Sequence, residues 1–135
     1  NTIDSATASF GAGLALQYDD NFIVNCTIAN NDEVTANGTG GGIYFVSNPD
    51  VNIANSIVWG NTATTDASIS GAHTGAVTYS CVGGAFTGTG NISTDPTFVG
   101  GTDYGLQDGS PAIDVGNNGG ALGSRVSVSN RRFGW

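Results

Sequence analysis

The side chains able to do chemistry are few and one-sided. Eleven acidic residues face three arginines (Arg125, Arg131 and Arg132) and no lysine, a formal charge of −8. The best acidic cluster is Asp19, Asp20 and Asp50, which lie in equivalent turns, Asp19-Asp20-Asn21 and Asn48-Pro49-Asp50. Two carboxylates about 5 to 9.5 Å apart across a sugar would make a glycosidase, and a polysaccharide lyase would need a cationic base. No Arg or Lys precedes Arg125, so the expectation is a non-catalytic chain, with polysaccharide cleavage as the alternative. Asp19, Asp20, Asn48 and Asp50 also offer hard oxygen ligands of the kind calcium takes, against the plainer reading of solvated turn residues. No motif requires a cofactor, and calcium is the one candidate.

Other residue types point to binding or modification. Tyr18, Tyr44 and Trp59 form a candidate sugar-stacking set if they point outward, although strand aromatics also serve packing. The sequons at Asn37 and Asn91 lie in glycine-rich turns and are candidate glycan acceptors, whereas Asn25, in a third sequon, is expected inside. His73, with no Cys or His at ligand spacing, reads as a surface residue. Cys26 and Cys81 fall in adjacent columns two repeats apart. At about 4.8 Å per strand they are too distant for a disulfide, so two separate thiols are expected.

Composition narrows the partners. Nucleic-acid binding draws on Lys and Arg, which this chain nearly lacks, and no run of about 20 apolar residues is present to insert in a bilayer. Hydrophobic residues at 39%, clustered in short runs, suffice for a folded chain. The weight of Asn, Thr, Ser and Gly suits a secreted or cell-surface protein.

These residues are positioned by a repeat. Gly13-Leu14 corresponds to Gly42-Ile43, 29 residues on, and Asn25 to Asn55, 30 residues on; Val77, Tyr79 and Cys81 stand 24 residues after Ile53, Asn55 and Ile57. A period of this length signals a solenoid. The runs alternate or are continuously apolar, without helical periodicity, so the expectation is all-β with almost no helix. Asn25 and Asn55 would share a column, in the left-handed conformation, with side-chain amides bonding from repeat to repeat. Ile23, Ile53 and Val77 would form an apolar column beside it. Residues 91–116 read as three short strands making a last, triangular turn.

Gly41-Gly42-Ile43-Tyr44, Phe22-Ile23-Val24-Asn25, Asp95-Pro96-Thr97-Phe98-Val99, Tyr104-Gly105-Leu106-Gln107 and Gly109-Ser110-Pro111-Ala112-Ile113-Asp114 resemble secreted bacterial right-handed parallel β-helix proteins of the pectin-lyase-like kind. They are similar to the repeats of polymorphic outer-membrane proteins and to domains that precede a C-terminal anchor module. The resemblance implies a right-handed parallel β-helix of about four coils over 1–116. It leaves 117–135 as a glycine-rich hinge and a strand around Val126 and Val128 that could pair with another subunit. Uncapped strand edges at the ends of such a stack pair with other chains, so either the chain is cut from a longer solenoid or its ends meet those of identical chains, and head-to-tail assembly into a filament is the sharper expectation. A structural or adhesive role is expected with it, and carbohydrate binding is the rival.

Overall fold

The computed structural model describes residues 2–4, 7–8, 11–18 and 21–117. Among these the chain is all-β, without a helix. Its strands recur in a fixed order, and each sheet collects the strands of one position in that order. The first sheet contains β1 (Thr2–Asp4), β5 (Thr27–Ala29), β9 (Ile57–Trp59) and β12 (Cys81–Val82). A second pairs β2 (Thr7–Ala8) with β6 (Asp32–Glu33). A third stacks β3 (Leu14–Leu16), β7 (Ile43–Phe45) and β10 (Ile69–Ser70), and a fourth β4 (Asn21–Val24), β8 (Val51–Ala54) and β11 (Val77–Thr78). Every pairing within these four sheets is parallel.

The register places like residues on like. Leu14 pairs with Ile43 and Ile43 with Ile69; Ile23 pairs with Ile53 and Ile53 with Val77; Ile3, Ile28, Val58 and Val82 form a third apolar column. Parallel pairing at fixed parity directs each column to one face, and these columns meet in one core with Phe45 and Val51. Each fully buried Ile or Val contributes roughly 1.5–3 kcal/mol.

Between sheets the backbone must turn, and the two corners that flank the first sheet share one pattern. A residue in the left-handed conformation ends the strand, and a small polar residue follows it with its side chain buried or half-buried. Asn25, Asn55 and Tyr79 (φ 55, 52 and 48) precede Cys26, Ser56 and Ser80; Asn30 and Gly60 (φ 55 and 67) precede Asn31 and Asn61. Phe22 to Ile28 therefore does not run as one strand, since Asn25 divides it into β4 and β5.

The C-terminal part departs from the expected last, triangular turn. Gly100 and Gly101 take φ 112 and 64, which lets β13 (Phe98–Gly100) fold back on β14 (Asp103–Leu106) as an antiparallel hairpin. Residues 111–114 are turn, not strand. Ahead of the hairpin, residues 83–92 close the last edge of the stack. Tyr79 N–H donates to Thr89 at 2.8 Å, Val82 N–H to Ile92 at 2.9 Å and Ile92 N–H to Ser80 at 3.0 Å, while Phe86 packs on the core. Residues 118–135, including the expected strand at Val126 and Val128, lie outside the described residues.

Glycines mark where neighbouring repeats touch. A Cβ on Gly42 would stand 2.5 Å from the Ser68 carbonyl oxygen and 2.7 Å from Asn61 Nδ2, and one on Gly13 would stand 2.6 Å from the Gly42 oxygen. A Cβ on Gly109 (φ +84) meets nothing. Gly42→Ala should thus lose about 2–4 kcal/mol through overpacking against backbone, and Gly109→Ala about 1 kcal/mol through its conformation alone. Urea midpoints of the two variants check the ranking; equal losses would contradict it.

Candidate functional site

The left-handed corner of Asn25, Asn55 and Tyr79 forms one wall of a lateral groove. Its floor is the outer side of the first sheet, at Ile57 and Cys81, and its other wall is the C-terminal segment at Leu106, Asp114 and Val115; the groove holds about 380 Å³. Three tethers keep that segment in place. Asn55 grips Asn117 at both ends of its amide, Nδ2 donating to the Asn117 carbonyl at 3.0 Å and Oδ1 accepting from the Asn117 N–H at 2.8 Å. Asn30 Nδ2 donates to the Tyr104 hydroxyl at 2.9 Å, and the Ser110 hydroxyl donates to the Pro96 carbonyl at 2.5 Å. Phe98 and Tyr104 meet edge to face at 5.1 Å and 86°, which fixes the hairpin's own shape.

The expected amide ladder at Asn25 and Asn55 does not form, because Asn55 spends its amide on Asn117. Asn25 is exposed rather than inside. The ladder stands six residues later, at buried Asn31 and Asn61. Asn61 Oδ1 accepts both the Asn31 N–H and Asn31 Nδ2 at 3.0 Å, and its own Nδ2 donates to the Ile28 carbonyl at 3.0 Å. Asn31 Nδ2 likewise reaches the Ile3 carbonyl at 3.2 Å. A second ladder runs through Cys26, Ser56, Ser80 and Asn91, where each backbone N–H donates to the side-chain oxygen of the next member, at 3.0–3.2 Å.

Asn91, the candidate glycan acceptor, is half-buried at the end of this ladder. Its Oδ1 takes the Ser80 N–H and its Nδ2 donates to the Val77 carbonyl at 3.0 Å, so the nitrogen that would carry a glycan is engaged inside the fold. Asn37 is exposed, in the turn closed by Gly38 N–H on the Thr35 carbonyl.

Tyr18 is 77% exposed beyond β3, Tyr44 is half-buried on β7, the partner of β3, and Trp59 is half-buried on β9 in another sheet. His73 is not a surface residue but half-buried, with its ring 4.6 Å from that of Phe45 and 6.1 Å from that of Phe86. For calcium, Asp19 and Asp20 lie outside the described residues, and Asn48 and Asp50 flank buried Pro49. Among the described residues no three His, Cys, Asp or Glu side chains converge.

In chemical terms the groove offers an exposed amide (Asn25), a phenol (Tyr79) and one carboxylate (Asp114) against an apolar floor. Such a set can hydrogen-bond hydroxyl groups and pack on carbon. Asp114 is the one carboxylate that lines it among the described residues. The two thiols lie apart, as the register of Cys81 with Ile57 and of Ile57 with Thr27 requires. Cys26 donates to the Val24 carbonyl and Cys81 to that of Thr94, each at 3.3 Å. No family model matches the chain, and neither a curated protein nor a solved structure matches it.

Burial, and secondarily the Asp95 carboxylate, push the Cys81 thiol up to about 11 from its ordinary value of 9.0. The folded state thus favours the thiol. The resulting stability is fully present below about pH 9, and falls as pH rises toward 11 because the unfolded chain ionises first. In a Cys26→Ala background, Cys81 should react with a disulfide reagent at pH 8 about a hundredfold more slowly than in the urea-unfolded chain. The alkaline fall in melting temperature should shrink in Cys81→Ala. Equal native and unfolded reaction rates would contradict the assignment.

Proposed function

We propose that the chain is a non-catalytic extracellular structural or adhesive module, folded as a right-handed parallel β-helix and able to self-associate through an end. The parallel register carried through successive repeats at spacings of 24–30 residues supports this reading. In such an array each repeat is stabilised mainly by its neighbours, which leaves the outer faces and the ends to carry function.

The ends differ. Residues 83–92 occupy the edge of β11 and β12, whereas β3, β4 and β10 have a partner on one side only among the described strands. Open edges of this kind recruit another strand, so association runs from β3 and β4 of one copy toward the β10 side of another. A second reading, carbohydrate adhesion, draws support from the lateral groove with its amide, phenol and carboxylate above an apolar floor.

Sedimentation velocity of the chain across the micromolar range tests the first reading: the expected result is a species that grows with concentration, and a monomer throughout would contradict it. Retention on an immobilised polysaccharide, lost in Tyr79→Ala and Asp114→Ala without change in sedimentation, would favour the second.

A further inference from the structure

The lateral groove carries a charge preference of its own. We propose that it binds oligosaccharides of amino sugars whose amino groups are free and protonated, in preference to neutral or anionic glycans. The inference rests on the carbohydrate reading above and names the class of sugar that the groove takes.

Three observations carry it. The first is that the polar groups along the groove are unspent. Asn55 gives both ends of its amide to Asn117, and Asn31, Asn61 and Asn91 are engaged inside the fold. The side chains of Asn25, Tyr79 and Asp114 instead make no hydrogen bond to a described residue, and all three line the groove. A ligand between the two walls meets an amide and a phenol that both donate and accept, and a carboxylate that only accepts when ionised.

The second is the tyrosine. At this corner two repeats use Asn, which tolerates the left-handed conformation, and the third uses Tyr79 at φ 48, where a bulky side chain is uncommon. A Cβ on Gly90 would stand 2.3 Å from Tyr79 Cδ1 and 2.6 Å from Cε1, so the ring is laid against bare glycine backbone. Strained residues held in this way gather at binding sites. With Ile57 and Leu106, Tyr79 gives the groove an apolar surface of the kind on which the carbon-bearing face of a pyranose packs. From Asn25 to Tyr79 the wall crosses two strand spacings, about 10 Å, the span of a disaccharide rather than of one ring.

The third is charge. Residues 1–117 hold eleven acidic residues and no Lys or Arg, and Asp114, the carboxylate that lines the groove, is exposed. A uronate or sulfated sugar would set a second negative charge beside it, which like-charge repulsion opposes. A neutral hydroxyl can donate to the carboxylate, but an ammonium group does so through a charge-assisted bond of roughly twice the strength. Lysine side chains and polyamines share the ammonium and lack the broad carbon face that Tyr79 and Ile57 are placed to receive.

Isothermal titration calorimetry of the full chain at about pH 6, where a sugar amine carries its proton, compares a glucosamine tetramer, its N-acetylated counterpart, a galacturonate tetramer and tetralysine. Two variants preserve the backbone: Asp114→Asn, since Asn accepts the left-handed conformation found there, and Tyr79→Asn, which matches the other two corners. Expected is a glucosamine tetramer bound about tenfold more tightly than the N-acetylated one, with the galacturonate weaker than both. That preference should vanish in Asp114→Asn and shrink in high salt, while Tyr79→Asn should weaken the glucosamine and N-acetylated tetramers alike, about tenfold. Equal affinity for those two tetramers, unchanged in Asp114→Asn, overturns the preference and leaves the carbohydrate reading standing, as does tightest binding of the galacturonate. Tetralysine bound as tightly as the glucosamine tetramer overturns it in favour of unselective attraction of cations. If no sugar tetramer binds, the preference and the carbohydrate reading fail together.

Discussion

Every backbone N–H in this fold that leaves a strand at a corner still needs an acceptor. A buried amide without one costs roughly 1–3 kcal/mol, and the parallel ladder cannot supply it where the chain turns. Here the acceptor is a side-chain oxygen from the following repeat: Asn61 for Asn31, Ser56 for Cys26, Ser80 for Ser56 and Asn91 for Ser80. The left-handed residue before each corner makes this possible by ending the strand and turning the next side chain inward. The apolar columns provide the bulk of the burial, but these oxygens fix the register in which the columns align.

That constraint also shapes the outside. Because Ser56 and Ser80 close the corner from within, Asn55 is left to look outward, and its amide holds Asn117 instead of a neighbouring asparagine. The C-terminal segment is consequently drawn across the outer side of the first sheet, and the space beneath it becomes the groove. Asn91 closes both the serine ladder and the edge beside β11 and β12 in a single residue. The proposed roles of groove and edge therefore depend on the same corner chemistry.

Much of the fold is legible in the sequence because parity survives variable turns. The spacings of 29 from Leu14 to Ile43 and 24 from Ile53 to Val77 are the registers observed, and they placed the Ile23 column and kept the cysteines apart. Periodicity does not say which asparagine of a repeat faces inward. Asn25 and Asn55 share the same spacing of 30 as Asn31 and Asn61, and only packing against Ile28 and Ile3 distinguishes the second pair. Gly100-Gly101 was a visible turn signal, yet the apolar runs around it also fit another parallel turn. The groove had no sequence signature, since residues 25–81 and 106–116 meet in it without any repeat relating them.

The most direct measurement is the scalar coupling transmitted through the hydrogen bond at the Asn31 amide, recorded by NMR on uniformly labelled protein. A coupling from the Asn31 backbone nitrogen to the side-chain carbonyl carbon of Asn61 is the predicted result, since that oxygen stands 3.0 Å from it. A coupling to any backbone carbonyl instead would mean that the ladder continues through the corner without the side chain, and would contradict the account.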